Sequence, residues 1–367
     1  MQNVLVTGGA GFIGSNFVRY LLNKEPDVQI INLDALTYAG SLENLKGILN
    51  PERHTFIEGD ICDRDLVEKI LHTQNIDTIV HFAAETHVDR SILGPGQFVQ
   101  TNIVGTYTLL EIARKIWFEG VKPGKSRLDD VRFHHISTDE VYGSLGPSDP
   151  PFSESTNYVP NSPYAASKAS SDHLVRAYGQ TYGLPYTITN CSNNYGPYQF
   201  PEKLIPLIIL NALDGQPLPV YGDGRQIRDW LFVEDHCSAI WTVLNRGTAG
   251  ETYNIGGGNE PTNLVVVHTL CDILDECQPN SPYSPHQELI RFVPDRPGHD
   301  RRYAIDITKI NQELGWEPRQ SLASGLLKTV EWYLSHPEWI NAIRQQGEYQ
   351  GWIKLNYKAR EGRYKKL

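Results

Sequence analysis

Short apolar runs and amphipathic stretches alternate along the first half of the chain. The runs Asn3–Thr7, Val28–Asp34, His54–Glu58, Thr78–Ala83, Val131–Ser137 and Tyr186–Asn190 are rich in Val, Ile and Phe, and several lack polar alternation. Continuous apolar strands are those buried on both faces, which predicts a parallel sheet covered by helices. Between them, Ser15–Asn23, Asp63–Thr73, Gln97–Trp117 and Ser162–Tyr182 carry helical spacing. Strand–helix alternation of this kind predicts an α/β fold with a doubly wound parallel sheet.

Beyond residue 190 the pattern turns irregular. Pro, Gly, Tyr and Asn cluster at Asn193–Pro201 and Pro217–Gly224, and helical stretches remain at Leu204–Leu213, Asn263–Glu276 and Leu322–Leu334. This predicts a smaller C-terminal α/β substrate-binding region over the strand ends, residues 191–340, following a nucleotide-binding domain, residues 1–190. Val233–Asn245 is a candidate to return to the first domain. Glu119–Asp130 reads as a polar surface loop, and residues 341–367 as a tail, loosely held from Gly347 onward.

Composition narrows the class. The 367 residues are 40% hydrophobic and 21% charged, ordinary for a globular protein with a full core. A net charge of −10 argues against nucleic acid as a partner. The five cysteines (Cys62, Cys191, Cys237, Cys271, Cys277) are scattered without C-x-x-C, which reads as reduced cytoplasmic thiols with no metal framework. No apolar run is long enough for a membrane span, and the chain enters a strand at once, leaving no room for a signal peptide.

Chemistry enters at Thr7-Gly8-Gly9-Ala10-Gly11-Phe12-Ile13-Gly14, between a strand and a helix. Gly8 permits a tight turn, Gly11 lets backbone N–H groups approach a pyrophosphate, and Gly14 allows close helix–strand packing. The helix N-terminus then faces the phosphates. Asp34 ends the next apolar run, where a carboxylate accepts ribose hydroxyls and repels a 2′-phosphate; this favours NAD over NADP. Asp60 is placed either to reach the adenine or to cap a helix from Ile61 onward. Phe82-Ala83-Ala84 ends the fourth run, with small residues to admit the nicotinamide ribose. The sheet is therefore expected to be Rossmann-like.

Tyr164 and Lys168 stand i, i+4 on a helix that Ser162-Pro163 starts. A neighbouring ammonium favours phenolate. Lowering a phenol from ~10 to about 7 corresponds to about 4 kcal/mol, and Tyr164 would then serve as a base near neutral pH. Thr138, after the fifth run, is placed to bond the same substrate oxygen. Asp139 and Glu140 follow it directly. Two carboxyls that differ in protonation divide acid and base roles; the alternative is a capped short helix.

The loop, Asp34, Thr138 and Tyr164/Lys168 together resemble the extended short-chain dehydrogenase/reductase family. Longer runs sharpen this: His81–Ser91, Ser137–Gly143, Cys191–Tyr198, Phe200–Pro206, Arg228–Trp230 and Asp295–Asp300 are similar to those of its dTDP-glucose 4,6-dehydratase branch, over roughly residues 1–335. The resemblance implies Thr138, Asp139, Glu140, Tyr164 and Lys168 as the catalytic set. It implies cofactor contacts at Phe12, Ile13, Asp34, Ala35, Leu36, Thr37, Asp60, Ile61, Phe82, Ala83, Ala84, Thr101, Tyr164, Lys168 and Asn194. Nucleotide-sugar contacts are implied at Thr86 (often Ser in the family), Asn193, Lys203, Leu204, Pro219, Tyr221, Arg228, Asn263, Arg296 and His299, besides Thr138, Asp139 and Glu140. Lys203, Arg228 and Arg296 are candidates for the diphosphate, with Arg225, Arg301 and Arg302 near in sequence.

The implied reaction is C4 oxidation, loss of water across C5 and C6, and hydride return to C6, in deoxysugar synthesis. Oxidation places C5 alpha to a carbonyl and makes its proton removable. Tyr164 takes the O4 proton, Glu140 the C5 proton, and Asp139 protonates the departing oxygen. A homodimer is implied through the helices at Gln97–Trp117 and Ser162–Tyr182. A nucleotide-sugar 4-epimerase shares the cofactor, tyrosine and lysine, but gives an acid–base pair at Asp139 and Glu140 no task. A non-catalytic NAD-sensing protein could dispense with Tyr164, Lys168 or Glu140.

Overall fold

Each of the six apolar runs forms a strand in the computed structural model, which describes residues 1–118, 130–295, 299–347 and 351. They are β1 (Asn3–Thr7), β2 (Gln29–Asp34), β3 (His54–Glu58), β4 (Thr78–His81), β5 (Arg132–Thr138) and β6 (Tyr186–Cys191). Further along come β7 (Asn193–Tyr195), β8 (Leu218–Tyr221), β9 (Trp230–Phe232), β10 (Thr252–Ile255) and β11 (Ile290–Val293). The main sheet has seven strands in the order β10-β6-β5-β4-β1-β2-β3. Every pairing in it is parallel. The winding reverses between β1 and β4, and ligands of such sheets bind in the crevice beyond the carboxyl ends at that point.

The helices are α1 (Phe12–Lys24), α2 (Arg64–Thr73), α3 (Val88–Leu93), α4 (Pro95–Phe98), α5 (Thr106–Phe118), α6 (Pro163–Tyr182), α7 (Leu204–Leu213), α8 (Val233–Arg246), α9 (Asn263–Cys277), α10 (Thr308–Leu314), α11 (Leu322–Ser335) and α12 (Pro337–Arg344). Alternate side chains of β1 explain the two-sided burial. Val4 and Val6 pack with Phe17, Leu21, Val233 and Ile240 of α1 and α8. Leu5 packs with Val67, Leu109, Ile112 and Val175 of α2, α5 and α6. Segment 233–246 thus covers the first half's sheet, and β10 extends that sheet as a strand the apolar pattern did not single out.

The stretch expected as one helix from Gln97 to Trp117 is interrupted. A wider π turn, Val99–Gly105, separates α4 from α5. It carries buried Asn102, whose amide clamps the Glu85 backbone (Glu85 N to Oδ1 2.8 Å, Nδ2 to Glu85 O 3.0 Å) and donates to Ser167 Oγ at 2.8 Å. Such turns are frequent at functional sites.

The C-terminal region builds its own core from α7, α9, α11 and α12, including Ile208, Leu270, Val330 and Ile343. Tyr38 from the first half joins that core, and Trp339 Nε1 donates to Asn44 Oδ1 at 2.8 Å, so the region is fastened over the sheet. α12 runs to Arg344, past residue 340 where the tail was expected to begin. Of the expected loop Glu119–Asp130 only Asp130 is described, and of the stretch from Gly347 only Gly347 and Gly351. Among the described residues no helix is long and apolar enough to cross a membrane.

Candidate active site

Between the sheet and the C-terminal region lies a cavity of about 430 Å³, opened by the carboxyl ends of β1, β4 and β5. The Gly-rich turn forms one wall. Gly8 adopts φ +74°, and a Cβ there would stand 2.6 Å from Ala83 N, so the turn abuts the end of β4. A Cβ on Gly14 would meet Gly8 O at 2.2 Å; this glycine lets the helix close onto the turn itself. Gly11 is the N-cap of α1, no side chain caps that helix, and its first turn holds no acidic residue. Its N–H groups suit an anion.

Asp34 Oδ2 accepts from Ala10 N and Oδ1 from Leu36 N, both at 2.8 Å. Burial pushes its carboxyl up, and these two amides pull it back. Leu36 is not among the residues lining the cavity, although its neighbours Ala35 and Thr37 are. Its backbone, at φ +50°, turns so that its amide steers Asp34 instead. The other expected cofactor residues all line the cavity: Gly8, Gly11, Phe12, Ile13, Gly14, Asp34, Ala35, Thr37, Asp60, Ile61, Phe82, Ala83, Ala84, Thr101, Tyr164, Lys168 and Asn194. Asp60 is no helix cap; it accepts from Cys62 N at 2.8 Å, and Asp63 caps α2 through Leu66 N at 3.0 Å.

The catalytic candidates converge from two elements. β5 ends at Thr138, and a 3₁₀ turn, Asp139–Tyr142, follows because the Thr138 hydroxyl accepts from Glu140 N at 3.3 Å. α6 starts where Ser162 Oγ accepts from Ala165 N at 3.1 Å, and Pro163 stands at its first position. Thr138, Asp139, Glu140, Tyr164 and Lys168 all line the cavity. Asp139 is only 2% exposed. Burial first, then the charges of Glu140 and Asp229, push its carboxyl well above the usual range, which favours its protonated form.

The Tyr164–Lys168 pair differs from expectation. Burial, followed by the charge of Glu140, pushes the Tyr164 phenol well above its ordinary value rather than below it. Lys168 Nζ donates to Ile136 O at 2.7 Å. Burial lowers the ammonium to about 8, against the pull of Asp172 and Cys191.

On the substrate side, Thr86, Asn193, Lys203, Leu204, Pro219, Tyr221, Arg228, Asn263 and His299 line the same cavity. Asn193 Oδ1 and Asn263 Oδ1 are buried without a hydrogen-bond partner, a state that calls for a polar ligand. Arg228 is held by the carbonyls of Ile227 (2.7 Å) and Asp300 (2.9 Å) and stacks 4.3 Å over Tyr303. His299 is paired with Asp295 at 2.6 Å. Arg296 lies outside the described residues. Arg301 and Arg302 are engaged with Asp223 (2.9 Å) and Glu260 (2.7 Å), and neither lines the cavity, nor does Arg225.

Sequence reading missed Glu202 and Asp229. Glu202 lines the cavity, 3.6 Å from Arg90 Nε and 3.8 Å from His87 Nε2, and burial pushes its carboxyl up to about 7. Asp229 accepts from Ser192 Oγ at 2.8 Å and Gly257 N at 2.6 Å, knotting the ends of β6 and β10; burial pushes it up to about 6. Both stood inside motif runs, and only three-dimensional burial distinguishes them from surface carboxylates. Among the described residues no group of three or more His, Cys, Asp or Glu is placed to hold a metal ion.

Known proteins match this chain over nearly its whole length. The family described as GDP-mannose 4,6 dehydratase matches residues 5–329. A dTDP-glucose 4,6-dehydratase of Salmonella typhimurium is 56% identical over 368 residues, covering 98% of this chain and 100% of its own. A solved dTDP-glucose 4,6-dehydratase from Streptomyces venezuelae, with NAD and dTDP bound, has TM-score 0.83 at 48% identity, covering 93% of this chain and 100% of that one. The Bacillus anthracis enzyme in complex with NAD has TM-score 0.81 at 46% identity, covering 94% and 100%.

Proposed function

The chain belongs to the dTDP-glucose 4,6-dehydratase family, and from that premise we propose how its own residues divide the work. The reaction is the NAD-dependent conversion of dTDP-glucose to dTDP-4-dehydro-6-deoxyglucose and water, a hydro-lyase step of deoxysugar synthesis. The pocket fits NAD: the uncapped α1 N-terminus suits the pyrophosphate, Asp34 the adenosine ribose, and small Ala83 and Ala84 the second ribose. Bound there, NAD supplies the hydride acceptor at C4, the donor at C6, and a positive ring that favours phenolate.

Tyr164 takes the O4 proton, with the Thr138 hydroxyl on the same oxygen. Lys168 orients the site and adds positive charge below about pH 8. Once C4 is a ketone, Glu140 removes the C5 proton and Asp139 gives its proton to the C6 oxygen. Glu140 then returns a proton to C5. Lys203 and Arg228, with Arg296, hold the diphosphate, and Tyr221, Asn263 and His299 surround the base.

One observation supports this reading over an epimerase. A deeply buried Asp139, its carboxyl pushed well above the usual range, and the neighbouring Glu140 share one cavity with Tyr164 and Thr138. Simple oxidation and re-reduction at C4 gives that acid and base nothing to do. The purified protein, without added NAD, is expected to convert dTDP-glucose and leave UDP-glucose largely unconverted, read by mass spectrometry and NMR. Inversion at C4 without loss of water would overturn the reading.

Asp34 sets a second expected outcome. With its carboxylate fixed by two amides, stripped protein should bind NAD⁺ at least about tenfold tighter than NADP⁺, about 1.4 kcal/mol. Equal or tighter NADP⁺ binding in a titration removes that role from Asp34. The faces around α5 and α6 leave Val99, Val104, Tyr107 and Tyr182 exposed, which supports a homodimer formed through these helices. Light scattering should then give twice the 41.4 kDa chain mass.

A further inference from the structure

In the proposed reaction the hydride leaves C4 and returns to C6, so the cofactor ends each turnover as it began. It has no need to leave between turnovers. The segment that follows Asp34 forms part of the cavity wall: Ala35, Thr37, Tyr38, Ala39 and Gly40 line it. The same segment is fastened on its other side. Tyr38 belongs to the core of the C-terminal region, and the Arg90 guanidinium stacks 3.8 Å over its ring. Ser41 N donates to Ala10 O at 3.0 Å, and a 3₁₀ turn, Leu42–Leu45, follows.

Asn44, in that turn, uses its whole amide. It is 2% exposed. Its Nδ2 donates to Ala10 O and its Oδ1 accepts from Trp339 Nε1, both at 2.8 Å. Its backbone N–H donates to Ser41 O at 3.1 Å, and its carbonyl accepts from Arg19 Nη2 at 2.9 Å. Ala10 is thereby held from both sides, since its own N–H donates to Asp34 at 2.8 Å. It directly precedes Gly11, the N-cap of α1. A run of hydrogen bonds therefore joins α12, through Asn44 and Ala10, to the carboxylate assigned to the ribose. The far end is firm. Trp339 is buried among Tyr198, Trp332 and Tyr333, with ring centroids 6.2, 5.1 and 5.9 Å away. Beyond the same helix, Gln346 Nε2 donates to Ser41 Oγ at 3.3 Å. A buried indole N–H needs an acceptor; here the other end of the acceptor amide grips the Gly-rich turn.

We propose that Asn44 is a positioning residue for the cofactor and that Trp339 of α12 locks it, so that the protein keeps its NAD from one turnover to the next. Release requires segment 35–45 to lift. Lifting breaks the Asn44 bonds to Ala10 and Trp339 together and draws the Tyr38 ring out of a core, leaving buried polar groups unpaired. Such a barrier acts on the rate of dissociation. The purpose of the lock rests on the dehydratase reading, in which the cofactor is regenerated in place; the lock itself concerns the cofactor site alone.

The test follows NAD release from the purified holoprotein with no substrate present, by exchange against isotope-labelled NAD⁺ and mass spectrometry of the bound fraction. Trp339→Phe keeps an aromatic ring and removes the indole N–H. Asn44→Ala removes both side-chain bonds. Each should speed release by about tenfold or more, the scale of one buried hydrogen bond lost. Without added NAD⁺, turnover of both variants should decay as the reaction proceeds, and added NAD⁺ should restore it. Ile343→Val is the control for loosened packing, because Ile343 lies in the same helix and core and its side chain takes part in none of these bonds. It should lower the melting temperature and leave release alone. Wild-type release by Trp339→Phe, or equally fast release by Ile343→Val, would overturn the proposal and leave Asn44 a structural amide. Wild-type protein that holds its NAD yet releases no water from dTDP-glucose would count against the dehydratase reading alone.

Discussion

Glu140→Gln is expected to reduce its bound cofactor on mixing with dTDP-glucose and then to stop. In the proposed division of roles, C4 oxidation relies on Tyr164 and Thr138, which this change leaves in place. Removal of the C5 proton is there assigned to the Glu140 carboxylate, and an amide has no basic oxygen to receive it. Turnover should fall by about 10²–10⁴-fold, the usual worth of a positioned general base. The near-ultraviolet absorbance of reduced nicotinamide should build up, and solvent deuterium should enter C5 far more slowly than in the wild type. Removing the Glu140 charge also relieves Asp139 and Tyr164, since that charge pushes both up. Asp139→Asn should slow loss of the C6 hydroxyl. The double change should cost less than the two single losses multiplied, because both groups serve one elimination. Full turnover by Glu140→Gln would remove the residue from the mechanism.

The sheet was legible because burial on both faces leaves a pattern with little room for alternatives. Val4, Leu5 and Val6 are apolar in a row since each faces one of two helical layers. β10 escaped notice for the opposite reason. Thr252–Ile255 is four residues long and half polar, and its place depends on α8 carrying the chain back across the sheet. The helix break at Val99–Gly105 was equally invisible, because a π turn keeps helical spacing on both sides and differs only in what Asn102 reaches. In the site, positions carried by motifs could be named one by one; the environments could not. The upward shift of Asp139 arises from burial beside Glu140 and Asp229, and Asp229 is ninety residues away in sequence. Leu36 has a task no motif spells out, since its amide fixes Asp34.

Tyr164→Phe should abolish the first hydride transfer, with turnover down by at least about 10³-fold and nucleotide-sugar binding nearly intact. The ring keeps its packing, including the edge contact with Phe98 at 6.3 Å, so only the phenol oxygen is lost. No reduced nicotinamide should appear on mixing, in contrast to Glu140→Gln, and that difference orders the two residues along the reaction. Wild-type activity in Tyr164→Phe would exclude it as the base. Lys168 bears on the same step through charge. Burial lowers its ammonium to about 8, so it is charged below that pH and loses its proton above it. The phenol is already pushed up by burial and Glu140, and in the proposed mechanism Lys168 and the nicotinamide would supply the opposing positive charge. Lys168→Ala removes part of that support. The rising, alkaline-requiring limb of activity should therefore move to higher pH, and activity at neutral pH should fall. The wild-type profile should decline again as pH rises through about 8 and Lys168 loses its charge. An unchanged rising limb in Lys168→Ala would mean that the lysine acts only by holding the Ile136 carbonyl and the cofactor in place.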